Sequence, residues 1–272
     1  MNRVISIEQI LDLISKVKNL RKGFLTNFYI DIFKHDIWIK SSDLFFEQVG
    51  DTLFFVKQNN EFWNIFYCTT TFEELNLSFN AFNTLYQNQL LIIDVIGNEN
   101  QCGLINECFI KNGFKKYSSL VRMSRETPKD VINISNEHIF YANDNEAKSI
   151  LLLLQKYFDP HCEQIPYIEE LEEYVKNKKI LLYKEEDEIL GFVVFEMNKS
   201  TLYLRYWFVH PDYRDKKIGS ILLNQFFYEG KETRRQLFWV LSNNENAIKR
   251  YCHYGFKEEN MYDYVLINKN KI

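Results

Sequence analysis

The chain has 272 residues, a length that predicts two domains or one large one. Hydrophobic residues make up 46% and charged residues 26%, as in ordinary globular proteins, and only 9 Gly and 4 Pro exclude a collagen-like or linker-rich chain. The net charge of −4 provides no basic footprint, so we expect no nucleic-acid partner.

Targeting and redox features are weak along the chain. No apolar run reaches the roughly 18–20 residues of a membrane span, and the N-terminus lacks the apolar core of a signal peptide, so we expect no membrane partner. Five scattered Cys include no CxxC pair, which argues against a zinc site or a disulfide framework. We therefore expect no metal and a cytoplasmic location.

The first half of the sequence predicts alternating helices and strands. Ser6 is a plausible N-cap for a helix, because the apolar residues that follow have helical spacing. Two strand-like runs joined at residues 58–60 predict a hairpin, and a short apolar run ending at Gly97 predicts a buried strand. The predicted elements are a helix at 6–20, strands at 51–57, 61–69 and 90–96, a helix at 100–111 and a strand at 117–123.

The polar segment 125–136, which contains Pro128, is the predicted boundary between domains 1–125 and 136–272. Beyond it the pattern again predicts an α/β unit. Helices are predicted at 143–158, 167–177, 216–228 and 244–253, and strands at 180–183, 190–196, 201–209, 236–241 and 262–268.

A weak internal repeat links the halves. Gly113-Phe114 and Gly255-Phe256 each follow a predicted helix, about half the chain apart, with an apolar strand before the helix and a strand after it. The order of elements favours two related α/β units. Chance is the alternative, because Gly commonly caps the end of a helix.

The segment from Val209 to Ser220 is the first that indicates chemistry. An apolar strand runs through Pro211 into a loop with Arg214, Lys216 and Lys217, and then into a helix. The first amides of a helix lack intrahelical acceptors and the helix dipole is positive there, so this junction suits a phosphate group. A basic loop can also be a solvated turn.

A second informative segment follows the strand predicted at 236–241. It contains Asn244, Ala247, Tyr251, Gly255 and Phe256, with Asn244 placed to cap a helix.

Together the two segments resemble the GNAT superfamily of acyl-CoA-dependent N-acetyltransferases. The loop from Arg214 to Gly219 resembles the family's Arg/Gln-x-x-Gly-x-Gly/Ala motif, and the second segment resembles its Asn-x-x-Ala-x-x-x-Tyr-x-x-x-Gly-Phe pattern at every spacing. One departure is Lys217, which stands where the motif has its first Gly. The resemblance implies an α/β (α+β) fold in each half, a tandem GNAT-like arrangement with a mixed central sheet flanked by helices.

The resemblance also implies roles for individual residues. The strand before the loop splays from its neighbour; Phe208 and Val209 would pair with the pantetheine arm, and a backbone N–H there, that of Phe208 first, would polarise the thioester carbonyl. Asn244 would contact the arm, and Tyr251 would protonate the departing thiolate. The pyrophosphate would be held by the loop residues, namely Arg214, Lys216, Lys217, Ile218, Gly219 and Ser220.

The general base is open from the sequence. Glu196 is the first candidate, and His210, Asp212 and water are rivals. The polar residues Asp159, His161 and Glu163 lie where the family often builds its acceptor site, although they also fit a solvated loop.

The N-terminal half resembles a copy that has lost its cofactor apparatus. Aligning Gly113 with Gly255 puts Phe109 opposite Tyr251 and Cys102 opposite Asn244, and residues 70–75 contain no pyrophosphate motif. We expect a non-catalytic partner that forms an intrachain pseudo-dimer within a monomeric chain. An unrelated α/β adaptor domain is the rival interpretation.

The sequence thus favours transfer of an acetyl group from acetyl-CoA to a primary amine by direct attack. A non-catalytic protein that binds or senses acyl-CoA is the alternative, and a purely structural pseudoenzyme pair is a third possibility.

Overall fold

The computed structural model describes residues 1–132 and 136–268. The chain forms two compact units: the N-terminal unit is Met1–Leu120 with Asn260–Ile272, and the C-terminal unit is Val121–Glu259. Part of the polar segment predicted as the boundary, residues 133–135, and the last four residues of the predicted domain 136–272 lie outside the described residues. The predicted domain 136–272 includes the final strand of the chain, whereas in the structure most of that strand belongs to the N-terminal unit.

The N-terminal unit alternates helices and strands as the sequence predicts. Its elements are β1 (Asn2–Arg3), α1 (Ile7–Asn19), β2 (Leu25–Thr26), α2 (Ile32–Lys40), β3 (Leu44–Val49), β4 (Thr52–Gln58), β5 (Trp63–Thr69), α3 (Phe72–Tyr86), β6 (Leu91–Gly97), α4 (Glu99–Lys111) and the start of β7 (Lys115–Glu126). The end of β13 (Lys257–Ile267) completes it by pairing antiparallel with β6.

Several of these elements have clear local causes. Ser6 caps α1 by accepting a hydrogen bond from the Gln9 amide at 3.2 Å, as predicted. The pattern did not predict α2, β3 or α3. Thr71 nevertheless caps α3 by accepting from the Glu74 amide at 3.2 Å. The core that α3 and α4 cover is aromatic: the ring centroids of Phe79 and Phe109 lie 4.6 Å apart, edge to face.

The C-terminal unit repeats this plan. Its elements are β8 (Ile139–Tyr141), α5 (Ala147–Tyr157), α6 (Ile168–Lys176), β9 (Ile180–Glu185), β10 (Glu188–Asn198), β11 (Thr201–Val209), α7 (Ile218–Glu229), β12 (Arg235–Leu241) and α8 (Glu245–His253), with the end of β7 and the start of β13. Helices α5 and α6 pack their apolar sides on one face of β10 and β11, where Phe192 and Phe208 are buried. The short strand β8 was not predicted.

The same interruption occurs in the sheets of both units. In the C-terminal unit, β11 and β12 pair in parallel only where residues Thr201–Tyr203 lie opposite Arg235–Leu237. In the N-terminal unit, β5 and β6 pair in parallel only where residues Trp63–Ile65 lie opposite Leu91–Ile93. Beyond these residues the facing edges of the two strands are no longer paired with each other, and the space between these edges is called the cleft of each unit. The repeat detected in the sequence is therefore a repeat of sheet geometry.

Candidate active site

In the loop between β11 and α7, Lys217 adopts a backbone conformation that glycine usually provides. Lys217, the residue before α7, has φ 60° and ψ 11°, the left-handed conformation. A non-glycine residue there costs about 1–2 kcal/mol. The carbonyl of Lys217 accepts from the amides of Ser220 (3.0 Å) and Ile221 (3.1 Å), which fixes it as the start of the helix. The sequence departure at this position thus changes the side chain and leaves the turn intact.

The start of α7 is suited to an anion. Ile218 and Gly219 are the first residues of the helix, where amides lack intrahelical acceptors and the dipole is positive. The side chains of Arg214, Lys216 and Lys217 are exposed around it. These groups fit a pyrophosphate.

Gly219 is required by packing. An added Cβ at this position would lie 2.7 Å from Cζ2 of Trp207, closer than two carbon atoms can approach. Trp207 is on β11, so the absence of a side chain lets the first turn of α7 lie directly against the strand. This places the helix amides beside the cleft between β11 and β12.

The register of β11 determines which of its amides face the cleft. His210 follows β11 and donates from its amide to the Leu190 carbonyl of β10 at 2.8 Å. Successive residues of a strand direct their amides to opposite edges, so the Phe208 amide also points to β10, where Phe208 pairs with Phe192. The amides of Trp207 and Val209 face the other edge. The geometry favours Val209 over Phe208 as a donor into the cleft.

Two further features of the cleft suit a polar arm. The Trp207 indole Nε1 is buried and has no hydrogen-bond partner among the described residues. Asn244 caps α8 through its side-chain oxygen, which accepts from the Ala247 amide at 3.2 Å, while the residue itself is exposed. Together with the α7 turn, these residues fit the pantetheine and pyrophosphate of an acyl-CoA.

Tyr251 lies on α8 in an aromatic cluster. Its ring centroid is 4.0 Å from that of Phe238 and 5.6 Å from that of Trp207. Burial raises the pKa of the Tyr251 hydroxyl above its ordinary range. The hydroxyl therefore keeps its proton at neutral pH, as a general acid must.

A β-bulge between β10 and β11 changes the position of Arg205. The pairing of β10 with β11 shifts register so that Val194 opposes Tyr206 and Phe195 opposes Leu204, which leaves Arg205 without a partner in β10. A bulge re-aims a side chain, and the guanidinium of Arg205 lies 5.6 Å from the Tyr206 ring centroid.

Glu196 is held by two neighbours. Its carboxylate accepts from the Tyr174 hydroxyl at 2.5 Å, and the same oxygen, Oε1, lies 3.5 Å from Nε of Arg205. Sequence reasoning missed both neighbours. The signal for Arg205 was an arginine inside the apolar strand 201–209; Tyr174 gave none.

Glu163 belongs to the same cluster. Burial, aided by the carboxylate of Asp159 and opposed by Arg205, raises the pKa of Glu163 to about 7. His161 is oriented toward Asp159, with its Nδ1 3.1 Å from Oδ1. The predicted acceptor segment thus contributes a half-buried carboxyl whose ionisation is influenced by Arg205.

The two remaining candidate bases lie at the end of β11. Nε2 of His210 is 3.3 Å from the Tyr157 hydroxyl, and its Nδ1 accepts from the Asp212 amide at 3.4 Å. Asp212 is exposed. These contacts explain His210 as the cap of the turn at Pro211–Tyr213.

Comparison with known proteins agrees with this geometry. A model of the acetyltransferase (GNAT) family matches residues 147–256. These residues form a GNAT domain. The match includes α5, the bulged strand β11, the α7 turn and Tyr251.

Solved structures extend the likeness to the N-terminal unit. The chain is similar to a GCN5-related N-acetyltransferase from Sphaerobacter thermophilus, at 13% identity over 81% of this chain and 78% of that one, with a TM-score of 0.60. It is similar to a GNAT-family acetyltransferase from Colwellia psychrerythraea at 15% identity over 98% of each chain, with a TM-score of 0.53. It is also similar to a tandem GNAT protein from the clavulanic acid biosynthesis pathway, at 9% identity over 98% of this chain and 96% of that one, with a TM-score of 0.56.

These structures show a tandem GNAT fold that includes the N-terminal unit. A search of curated protein sequences finds no match.

Residues 1–132 and 136–268 contain neither a membrane-spanning helix nor a cluster of metal-binding side chains. No helix in these ranges is both long and apolar enough to cross a membrane. No group of three or more His, Cys, Asp or Glu side chains in them is placed to hold a metal ion.

The left-handed backbone at Lys217 generates a prediction. We expect Lys217→Gly to raise the free energy of unfolding by about 1 kcal/mol, because glycine adopts this conformation without strain. Lys217→Ala removes the same charge and keeps the strain, so it is the matched control. Chemical denaturation measures both; equal stability of the two variants would contradict the assignment.

The contact of Gly219 with Trp207 generates a second prediction about stability. We expect Gly219→Ala to lower the free energy of unfolding by about 1–3 kcal/mol, since α7 must move away from β11. Ser220→Ala, one residue along the helix, should change it by less than about 0.5 kcal/mol. Denaturation followed by circular dichroism tests the pair, and a well-tolerated alanine at position 219 would show that the turn is not packed as described.

Proposed function

We propose that the GNAT domain transfers an acetyl group from acetyl-CoA to a primary amine. The observation that carries this proposal is the cleft between β11 and β12, where strand amides and the start of α7 converge. Strand amides suit a pantetheine arm, and a helix N-terminus with exposed basic side chains suits a pyrophosphate. GNAT proteins use acyl-CoA, and the acyl group transferred here is acetyl in this proposal.

The residues of the cleft divide the binding of the donor between them. Arg214, Lys216 and Lys217 supply charge to the pyrophosphate, and the amides of Ile218, Gly219 and Ser220 supply hydrogen bonds. Val209, next to Phe208 on β11, donates to the thioester carbonyl, and Asn244 contacts the arm. The negative charge that develops on the carbonyl oxygen is stabilised by such a preorganised amide.

Transfer proceeds by direct attack. The amine nitrogen forms a bond to the thioester carbonyl carbon, the carbon–sulfur bond breaks, and sulfur departs as a thiolate. Tyr251, which burial keeps protonated, gives its proton to that sulfur. The nitrogen loses a proton to a carboxylate of the protein.

Two carboxyls compete for that proton. Glu196, the first candidate from the sequence, accepts from Tyr174 and lies beside Arg205. Both contacts are made by the same oxygen, Oε1, which is therefore already engaged. Glu163 has a pKa of about 7, which is matched to work near neutral pH. We favour Glu163 as the base, with Glu196 holding Arg205 and Tyr174 in position.

The acceptor approaches as a cationic ammonium in this proposal, and it loses one proton to solvent before its nitrogen attacks. The cluster combines Asp159, Glu163 and Glu196 with the single guanidinium of Arg205, so acidic groups outnumber basic ones. A panel of primary amines, followed by the release of free thiol from acetyl-CoA, tests the activity. Under this proposal the chain acts as a monomer and lies in the cytoplasm. Sedimentation analysis can check the monomeric state.

The role of Tyr251 gives the sharpest prediction for turnover. We expect Tyr251→Phe to lower kcat about 10²–10⁴-fold, because the thiolate loses its proton donor. Affinity for CoA and stability should change little, since phenylalanine preserves the ring contacts with Phe238 and Trp207. Unchanged turnover would exclude the acid role. Binding of acetyl-CoA by the wild type without turnover of any amine would favour a sensing protein.

The pKa of Glu163 predicts a pH dependence. A base must be ionised, so kcat/KM should rise as the pH increases through about 7, the pKa of Glu163. We expect Glu163→Gln to lower kcat/KM and remove this limb. Glu196→Gln is the matched comparison: loss of the limb only in this second variant would assign the base to Glu196 instead.

A further inference from the structure

The cleft of the N-terminal unit is filled by its own chain. Strand β2 pairs antiparallel with the end of β5, with Leu25 opposite Thr69 and Thr26 opposite Cys68. The Thr26 hydroxyl donates to the Tyr67 carbonyl at 2.6 Å. This segment lies along β5 beyond its parallel pairing with β6, which ends at Ile65.

Asn27 joins the two strands that have separated. Its side-chain oxygen accepts from the Tyr67 amide at 2.7 Å. Its side-chain nitrogen donates to the carbonyls of Ile65 at 3.4 Å and of Asp94 at 2.9 Å. Ile65 and Tyr67 belong to β5 and Asp94 to β6, so one buried carboxamide spans the cleft between the strands.

The next residue anchors the segment. Phe28 is buried, and its ring stacks on that of Phe55 with centroids 4.2 Å apart and on that of His35 at 4.6 Å. Its amide donates to the Thr26 hydroxyl at 2.9 Å. The segment is therefore fixed at both the strand edge and the core.

The pyrophosphate position of this unit is closed as well. The start of α3 corresponds to the start of α7. There the Thr71 hydroxyl accepts from the Glu74 amide, and Glu73 and Glu74 occupy the first turn. Two carboxylates at a helix N-terminus satisfy the dipole and repel phosphate.

We propose that residues 25–28 take, in the N-terminal unit, the place that the acyl-CoA arm takes in the GNAT domain. The chain then binds one acyl-CoA, in its C-terminal unit, and the N-terminal unit folds around a built-in substitute for a ligand. The proposal rests on the proposed function only for the identity of the displaced ligand.

The first test uses the full chain with CoA as the probe. Calorimetry should give one equivalent bound, and amide hydrogen exchange should show protection in residues 207–220 and none in residues 63–69 or 91–97. Protection of both clefts, or two equivalents, would overturn the built-in substitute while leaving the proposed function intact. Binding nowhere would contradict the donor in the proposed function, while unprotected residues 63–69 would still agree with a closed cleft.

The second test removes the bridge without using CoA. In Asn27→Ala the Tyr67 amide loses its acceptor, so we expect its hydrogen exchange to accelerate about tenfold or more. Asn83→Ala is the matched control: Asn83 donates to the Asn112 carbonyl at 3.0 Å, away from the cleft. If Tyr67 exchanged no faster in Asn27→Ala than in Asn83→Ala, the segment would not be what closes the edge of β5. Thr26→Val, which removes one hydroxyl, provides a milder variant should Asn27→Ala fail to fold.

Discussion

The parallel pairing of the two middle strands ends after three residue pairs in each unit, and the rest of the structure depends on this constraint. When strands separate, the amides and carbonyls along their facing edges need other partners, because an unpaired buried backbone group costs free energy. The C-terminal unit directs the amides of Trp207 and Val209 into its opening. In the N-terminal unit the corresponding edge is hydrogen-bonded by Thr26 and Asn27.

The site was predictable where chemistry depends on residue types at fixed spacing. Gly219, Asn244 and Tyr251 occupy a turn, a cap and an aromatic cluster that restrict what can stand there, so their pattern is legible in the sequence. The helix α3 could also have been predicted, since Thr71 followed by Glu74 is a capping signature. The apolar residues of α2 surround that helix on several sides, which hides a helical period.

Contacts between distant residues were not predictable in the same way. Asn27 accepts from an amide 40 residues away and donates to a carbonyl 67 residues away, and no local pattern encodes either partner. The bulge that turns Arg205 toward Glu196 depends on the register of β10, which the sequence of β11 alone does not contain. Aligned at Gly113 and Gly255, Cys102 lies opposite Asn244, but the residue that caps α4 is Asn98, because α4 runs one turn longer than α8.

Asparagine is chemically suited to the position it holds. Its side-chain amide has an acceptor oxygen and two donor hydrogens in a plane, so it offers a strand edge the acceptor and donor of a peptide unit and one further donor. It therefore satisfies an amide on β5 and carbonyls on β5 and β6 together. A ligand arm that paired with β5 at this position would have to displace all three hydrogen bonds of Asn27. In the core beneath the cleft, Phe109 takes the place of Tyr251 in the alignment of the two halves; it is fully buried against Phe79 and carries no hydroxyl to donate.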